Sequence, residues 1–383
     1  MQQKRCHVES LDWWWKCTQI DICFFFRTIA KAGHANGRST AIMWVLDNLR
    51  TSTARQRVVV VVFVIQMIVS LVFGNTSHFG KGSNGEVSNR NRVIFTPPGG
   101  AFSIWAIIFT GEALCMVWQL ITLQGRVWAG DWCIFIGFLV ANVSQAMWAI
   151  LFPFETQGTM HACCLFIFSA WLGLLLLNVS AVNRMTLATS SSSNDSPYKT
   201  VSDTPNPGDA STTTGPSSTY SVLWWVFGVV FFSIHLGWLT AATPLQWTIA
   251  AARDSDQFGV QIAGALVAGA LLATTAFWRS VLNPDPGTAA AIVWALCWIS
   301  SIDPAVTVRV GMPAADTSTV AVPPDVSYGI RLGAKVLAAT IGSFALAAVF
   351  VRLAFAVAMS GLCRVVVAAT IGLLTCVFDW FFR

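Results

Sequence analysis

Charge is what this 383-residue sequence has least of: Asp, Glu, Lys and Arg make up 11% of it, against roughly a quarter in a soluble globular chain. With 55% hydrophobic residues and a mean hydropathy of +0.62, the chain lacks the polar surface that would close it off in water. A soluble domain is excluded, and the lipid bilayer is the expected surrounding. Tyr is also scarce, 3 residues beside 18 Trp and 26 Phe, so the aromatic content supplies apolar bulk. None of the 10 Cys makes a CxxC pair, and Cys115, Cys133, Cys163, Cys164, Cys297, Cys363 and Cys376 fall inside or beside apolar runs. They read as soft packing residues, with no disulfide and no metal site expected. The net charge of +5 lies mostly outside the apolar runs, so no nucleic-acid partner is expected. There is no nucleophile with its base, no metal-ligand spacing, no phosphate-cradling glycine loop followed by Lys and no pair of intramembrane carboxylates. No catalytic residue is assigned, and an enzyme is not the expectation.

What is present is a series of long apolar runs. About 20 apolar residues cross the hydrocarbon core as a helix, and that length picks out Val58 to Phe73, Phe102 to Leu123, Trp132 to Phe152, Met160 to Val182 and Val222 to Ala242. Val260 to Trp278, a shorter Ala289 to Ile302 and Val336 to Val357 follow, giving eight predicted spans. Val365 to Phe382 is long enough to cross but carries Asp379, so it either spans or lies at the interface. Lipid offers no hydrogen-bond partner to the backbone, and no alternating ten-residue strands of a barrel are present, so the predicted fold is an all-α polytopic transmembrane bundle.

The segments outside the runs divide the chain. Residues 1–56 carry Trp13 to Trp15 and Phe24 to Phe26, interrupted by Lys16, Asp21 and Arg27, with eight basic residues against four acids. This basic extension is too often interrupted to span; a secretory signal is disfavoured, and it suits either an organellar targeting segment or a plain cytosolic tail. Thr189 to Ser218 is rich in Ser, Thr, Pro, Gly and Asp, and its composition predicts a disordered linker. Residues 57–252 form a first membrane module, 253–358 contribute three further spans and 359–383 a hydrophobic C-terminal segment. Arg50, Arg55 and Arg57 favour a cytoplasmic N-terminus, against Lys81, Arg90 and Arg92 on the other side of the first span. Which membrane holds the protein is left open.

Three segments stand out. Before the second span the chain reads Phe95-Thr96-Pro97-Pro98-Gly99-Gly100-Ala101-Phe102-Ser103-Ile104-Trp105. Two prolines remove donors and fix φ, and the glycines permit close backbone approach; the segment suits a rigid pocket edge or an ordinary helix start with interfacial aromatics. In the third span Asn142, Gln145 and Trp148 recur at helical spacing, and amides are costly against lipid, so the stripe should face the bundle interior. The fifth span carries His235-Leu236-Gly237-Trp238 and ends in Leu245-Gln246-Trp247; a lone His there suits either packing or ligand contact.

In this order the three segments resemble the tryptophan-rich sensory protein family, also called the TspO/MBR or translocator protein family. That family carries PPGWxFGxxW before its second helix, NxxWxxLFF in its third and YLxWxxFAxxLN in its fifth. The matches are Pro97, Pro98, Gly99, Phe102 and Trp105; then Trp148, Leu151 and Phe152; then Leu236, Trp238, Ala242 and Leu245, within residues 57–252. Gly100 stands where the motif has Trp, Gln145 and Gln246 where it has Asn, and His235 where it has Tyr. The chain is similar to the larger, divergent relatives. The resemblance implies a five-helix module and a tetrapyrrole or sterol class of ligand, held by Pro97, Pro98, Phe102, Trp105, Asn142, Gln145, Trp148, His235, Trp238 and Gln246. A slow ligand-modifying activity, as discussed for the family, is compatible with it.

Glu112 is the one acid deep in a well-defined span. An ionisable residue there is either functional or a protonated structural group, and Arg352 of the eighth span is a candidate partner. The leading expectation is a membrane receptor or binding protein for a hydrophobic, planar small molecule. The alternatives are a carrier of such a ligand or of an ion, with Glu112, Gln145 and His235 lining one wet path, and a structural subunit of a membrane complex. Beyond the lipid bilayer and the small molecule, a homo-oligomer is compatible with the sequence.

Overall fold

The computed structural model describes residues 52–75, 80–193, 223–254, 258–279, 285–302, 307–309 and 319–359. Helices dominate it: α1 (Ala54–Asn75), a short α2 (Asn84–Arg90), α3 (Ile104–Ile121), a short α4 (Leu123–Gly130), α5 (Trp132–Leu151), α6 (Gln157–Ser193), α7 (Phe231–Asp254), α8 (Phe258–Phe277), α9 (Pro286–Ser300) and α10 (Pro324–Met359). Between α9 and α10 lies a small antiparallel ribbon, β1 (Thr307–Arg309) with β2 (Thr319–Ala321), Val308 opposite Val320. Among the described residues seven helices are long and apolar enough to cross a membrane, with α9 as a shorter apolar helix. The chain is an all-α, multi-pass integral membrane protein.

Each of the eight predicted spans coincides with a helix, and the differences lie at the ends. The eighth begins at Pro324 rather than Val336, because Pro at a helix start loses no hydrogen bond and Asp325 complements the first-turn dipole. Helix α6 continues to Ser193, five residues into the segment assigned to the linker. Residues 194–218 of that linker, residues 1–51 of the basic extension, the Val365 to Phe382 stretch and the side chain of Arg352 lie outside the described residues.

Outward-facing Ile65, Ile68, Leu165 and Leu266 are exposed, as helix faces against lipid tails would be. Inward, small residues let backbones meet. A Cβ on Gly137 of α5 would stand 2.6 Å from the Gly173 carbonyl of α6, and one on Gly173 would stand 2.7 Å from the Ala141 amide, so α5 and α6 cross at backbone contact. Polar groups fasten the ends. Asp131 caps α5 by accepting from the Cys133 and Ile134 amides (2.9 and 3.1 Å) and takes a 2.6 Å bond from Arg184 Nε of α6. Just past α8, Arg279 pairs with Asp285, both side chains fully buried, and also donates 2.9 Å to Asn178 of α6. Asp285 caps α9 through the Gly287 and Thr288 amides, and Thr288 Oγ1 donates 3.1 Å to the Ser233 carbonyl of α7. One network thus joins α6, α7, α8 and α9.

Helix α7 opens after a π-turn, Val226–Val230, where Trp128 Nε1 donates 3.2 Å to the Gly228 carbonyl. Pro244 sits inside α7 and cannot donate to the preceding turn; Thr248 Oγ1 donates back to the Pro244 carbonyl at 2.8 Å. Two apolar cores result. One gathers α1, α3, α5, α6 and α7 with Ala291 and Ala295 of α9; the other gathers α8, α9 and α10 with the start of α6, the end of α7 and Val93, Ile94 and Phe95, and Trp148 and Ala241 pack against both. The cavity described next lies at their junction.

Candidate ligand-binding site

Below the proline segment is a cavity of about 450 Å³, within the size range of small-molecule sites. Its roof is a sequence of tight turns. Val93 and Thr96 exchange bonds (Val93 N to Thr96 Oγ1, Thr96 N to the Val93 carbonyl, both 2.9 Å), Ala101 N donates 2.9 Å to the Pro98 carbonyl, and Gly99–Ser103 forms a 3₁₀ turn leading into α3. The later helices pin this roof. Gln261 Oε1 of α8 accepts from the Ile94 amide at 3.1 Å, and Trp294 Nε1 of α9 donates 3.0 Å to the Ala101 carbonyl.

The walls are aromatic. Trp238 of α7 meets Phe102 edge-on (5.7 Å between centroids) and Trp105 edge-on (6.2 Å); Trp105 stacks on Phe109 at 5.2 Å, and Trp148 stacks on Phe152 at 4.9 Å. Such pairs hold one another's ring planes. Gln246 joins two walls, accepting 3.3 Å from Trp148 Nε1. Gln145 also lines the cavity, is 5% exposed, and its Oε1 has no hydrogen-bond partner among the described residues. One end is polar: Ser70 of α1 and Ser83, Asn84, Ser88 and Asn89 around α2 border the space. Helix α2 is set by a capping box, Ser83 with Glu86, and by Glu155, which accepts 2.8 Å from Arg90 Nη2 and 2.6 Å from Asn91 Nδ2. Glu155 holds a left-handed conformation (φ 51°), and its carbonyl accepts from Arg253 Nη2 at 2.8 Å.

Of the residues the sequence nominated, Pro97, Phe102, Trp105, Gln145, Trp148, Trp238 and Gln246 converge on the cavity. Pro98, Asn142 and His235 do not line it. Asn142 is buried and spends its Nδ2 donor on the Phe138 carbonyl one turn back (3.0 Å), so the amide stripe of α5 splits between Asn142 and Gln145. His235 sits behind the wall, its ring edge-on to Trp105 at 5.3 Å, and its Nδ1 lies 2.7 Å from Glu112 Oε1. Among the described residues the partner of Glu112 is therefore His235, on the helix beside it. Glu112 and His235 do not line the cavity that Gln145 borders.

Trp294 and Trp298 of α9 also line the cavity and were not nominated. Their i, i+4 spacing was visible, but nothing in the sequence said that the seventh span returns to the loop before the second. The structure accounts for Gly100 in the same way: a Cβ there would lie 2.5 Å from the Trp298 ring, so the ring already fills the space a side chain at position 100 would need. Among the described residues no three His, Cys, Asp or Glu converge as metal ligands.

Fold and cavity together define a class, polytopic helical membrane proteins with an aromatic-walled cavity under a proline-rich loop. The profile of the family described as TSPO-like protein matches residues 57–315, and the chain belongs to that family. The match runs from α1 through α9, beyond the five spans that carry the motifs. No curated protein and no solved structure matches the chain.

Proposed function

We propose that the protein is a membrane receptor or binding protein for a hydrophobic, planar small molecule of the tetrapyrrole or sterol class. The observation that carries this reading is the roofed cavity of about 450 Å³ walled by Trp105, Trp148, Trp238, Trp294 and Trp298. Flat indole faces suit a flat apolar ring system, and the Ser and Asn side chains at one end suit a polar substituent of it. Binding rather than catalysis is proposed, because the cavity lining holds no acid, His or Cys to work as base or nucleophile.

A carrier would need an ionisable path through the bundle. Glu112 and His235 stand behind Trp105 instead of lining the cavity, which supports binding over transport. Titration of the protein in nanodiscs with protoporphyrin IX, followed at the porphyrin's main absorbance band, tests the reading. Saturable one-site binding is expected. Absence of saturation with both this probe and a sterol would sink it and leave the structural-subunit reading.

A further inference from the structure

The roof is the place where the chain departs from a self-contained five-helix unit. Position 100 has no side chain, and the space next to it is filled from another helix: a Cβ at Gly100 would meet three atoms of the Trp298 ring at 2.5, 2.9 and 3.1 Å. One turn earlier on α9, Trp294 lies edge-on to Trp298 at 6.1 Å and donates its indole N–H to the Ala101 carbonyl, the residue after Gly100. Both indoles border the cavity. The arrangement has two separable parts, a flat wall and a clasp on the backbone of the roof.

We infer that α9 is part of the binding site: Trp298 is a specificity-determining wall that sets how far a planar ligand extends under the roof, and Trp294 is a positioning residue that holds the roof closed. This rests on the binding reading above. It adds that ligand breadth is limited from the α9 side, so the preferred ligand is a planar ring system without bulky groups on the edge that meets Trp298. An indole is rigid and turns about two side-chain bonds only, and Trp298 lies close against Gly100, which blocks its turning toward the roof.

The test uses the full chain in nanodiscs and two probes, protoporphyrin IX and a porphyrin carrying four meso-phenyl groups, with affinities read from porphyrin absorbance. Wild type is expected to prefer the compact probe. Trp298→Ala should reduce that preference at least fivefold, whereas Trp298→Phe should keep most of it. The exchange variant Gly100→Trp/Trp298→Ala should restore it, because the indole returns to the same space from the roof side; a misfolded single variant would not be repaired in that way. Trp294→Phe keeps the wall but loses the clasp, so dissociation of protoporphyrin IX should quicken about tenfold with the probe preference unchanged. If Trp148→Ala weakens binding while Trp298→Ala leaves the preference at its wild-type value, α9 is not part of the site, although the binding reading stands. No saturable binding of either probe by wild type overturns both.

Discussion

Glu112 Oε1 and His235 Nδ1 lie 2.7 Å apart, each side chain 1% exposed, and they join α3 to α7 directly behind Trp105. Among the described residues Glu112 Oε2 and His235 Nε2 are buried without a partner, so the pair is satisfied there on one side only. Its neighbour Cys115 is buried one turn along α3.

Removing one member strands the other. His235→Leu should destabilise the protein by about 3 kcal/mol, and Glu112→Leu/His235→Leu should recover most of that loss, because an orphaned buried polar group costs more than an apolar pair of similar shape. Thermal unfolding in one detergent, ranked across wild type, both single variants and the double, measures the coupling. Additive losses would show that the contact contributes nothing as a pair.

The cavity walls predict a graded response. Trp148→Ala and Trp238→Ala should each weaken porphyrin binding about tenfold or more, since an indole face buries roughly 150–250 Å² and ring pairing adds about 0.5–1.5 kcal/mol. A Trp247→Ala control on an exposed face should change little. Pro97→Ala leaves the walls standing and frees the loop, so release should quicken with a smaller change in affinity. Stopped-flow dissociation beside equilibrium titration separates the two effects.

At the crossing of α5 and α6, Gly137→Ala places a methyl 2.6 Å from the Gly173 carbonyl. Both atoms belong to main chains that cannot turn away, so the helices must separate, at a cost of about 1–3 kcal/mol. Gly259→Ala, where a Cβ meets nothing within 4 Å, is the control. Equal melting temperatures for the two variants would contradict the close crossing.

Acid should loosen the start of α5. Burial pushes the Asp131 carboxyl up, but the Ile134 amide, the Arg184 guanidinium and the Cys133 amide together outweigh it and hold the group below its ordinary value of 3.8. The stabilisation is complete above that ordinary value and is lost as pH falls through the lower value of the folded state. Asp131→Asn keeps much of the cap but discards the charge, so it should be less stable at neutral pH and flatter between pH 5 and pH 2, about the range in which a carboxylate titrates. Circular dichroism melts across that range check the slope.

The spans were legible because lipid leaves a backbone no alternative to the helix, so apolar length alone marks them; α1, α3 and α5 to α10 needed only adjustment at their ends. Part of the site was legible for a different reason. Trp105, Trp148 and Trp238 sit in local patterns, each readable within a dozen residues. What could not be read was adjacency between distant segments. The Glu112 to His235 contact spans 123 positions, and helical spacing says which face a residue occupies but not which helix stands opposite. Asn142 faces the bundle interior as its stripe predicts but does not border the cavity, because its amide turns back to its own backbone. Trp294 and Trp298 belong to a helix of 15 residues that apolar length marks as a short span, but length says nothing of its place beside the loop before the second span.

The two bonds that pin the roof reach across 167 and 193 positions, from Ile94 to Gln261 and from Ala101 to Trp294. A ribosome adds about 5–20 residues each second, so roughly 10 to 40 s separate the synthesis of the loop from that of its second pin. During that interval α3 to α7 enter the bilayer with their indoles uncovered on one side. Closure waits for α9, and until then a hydrophobic molecule already dissolved in the membrane meets an open vessel whose cover is made but not yet fastened.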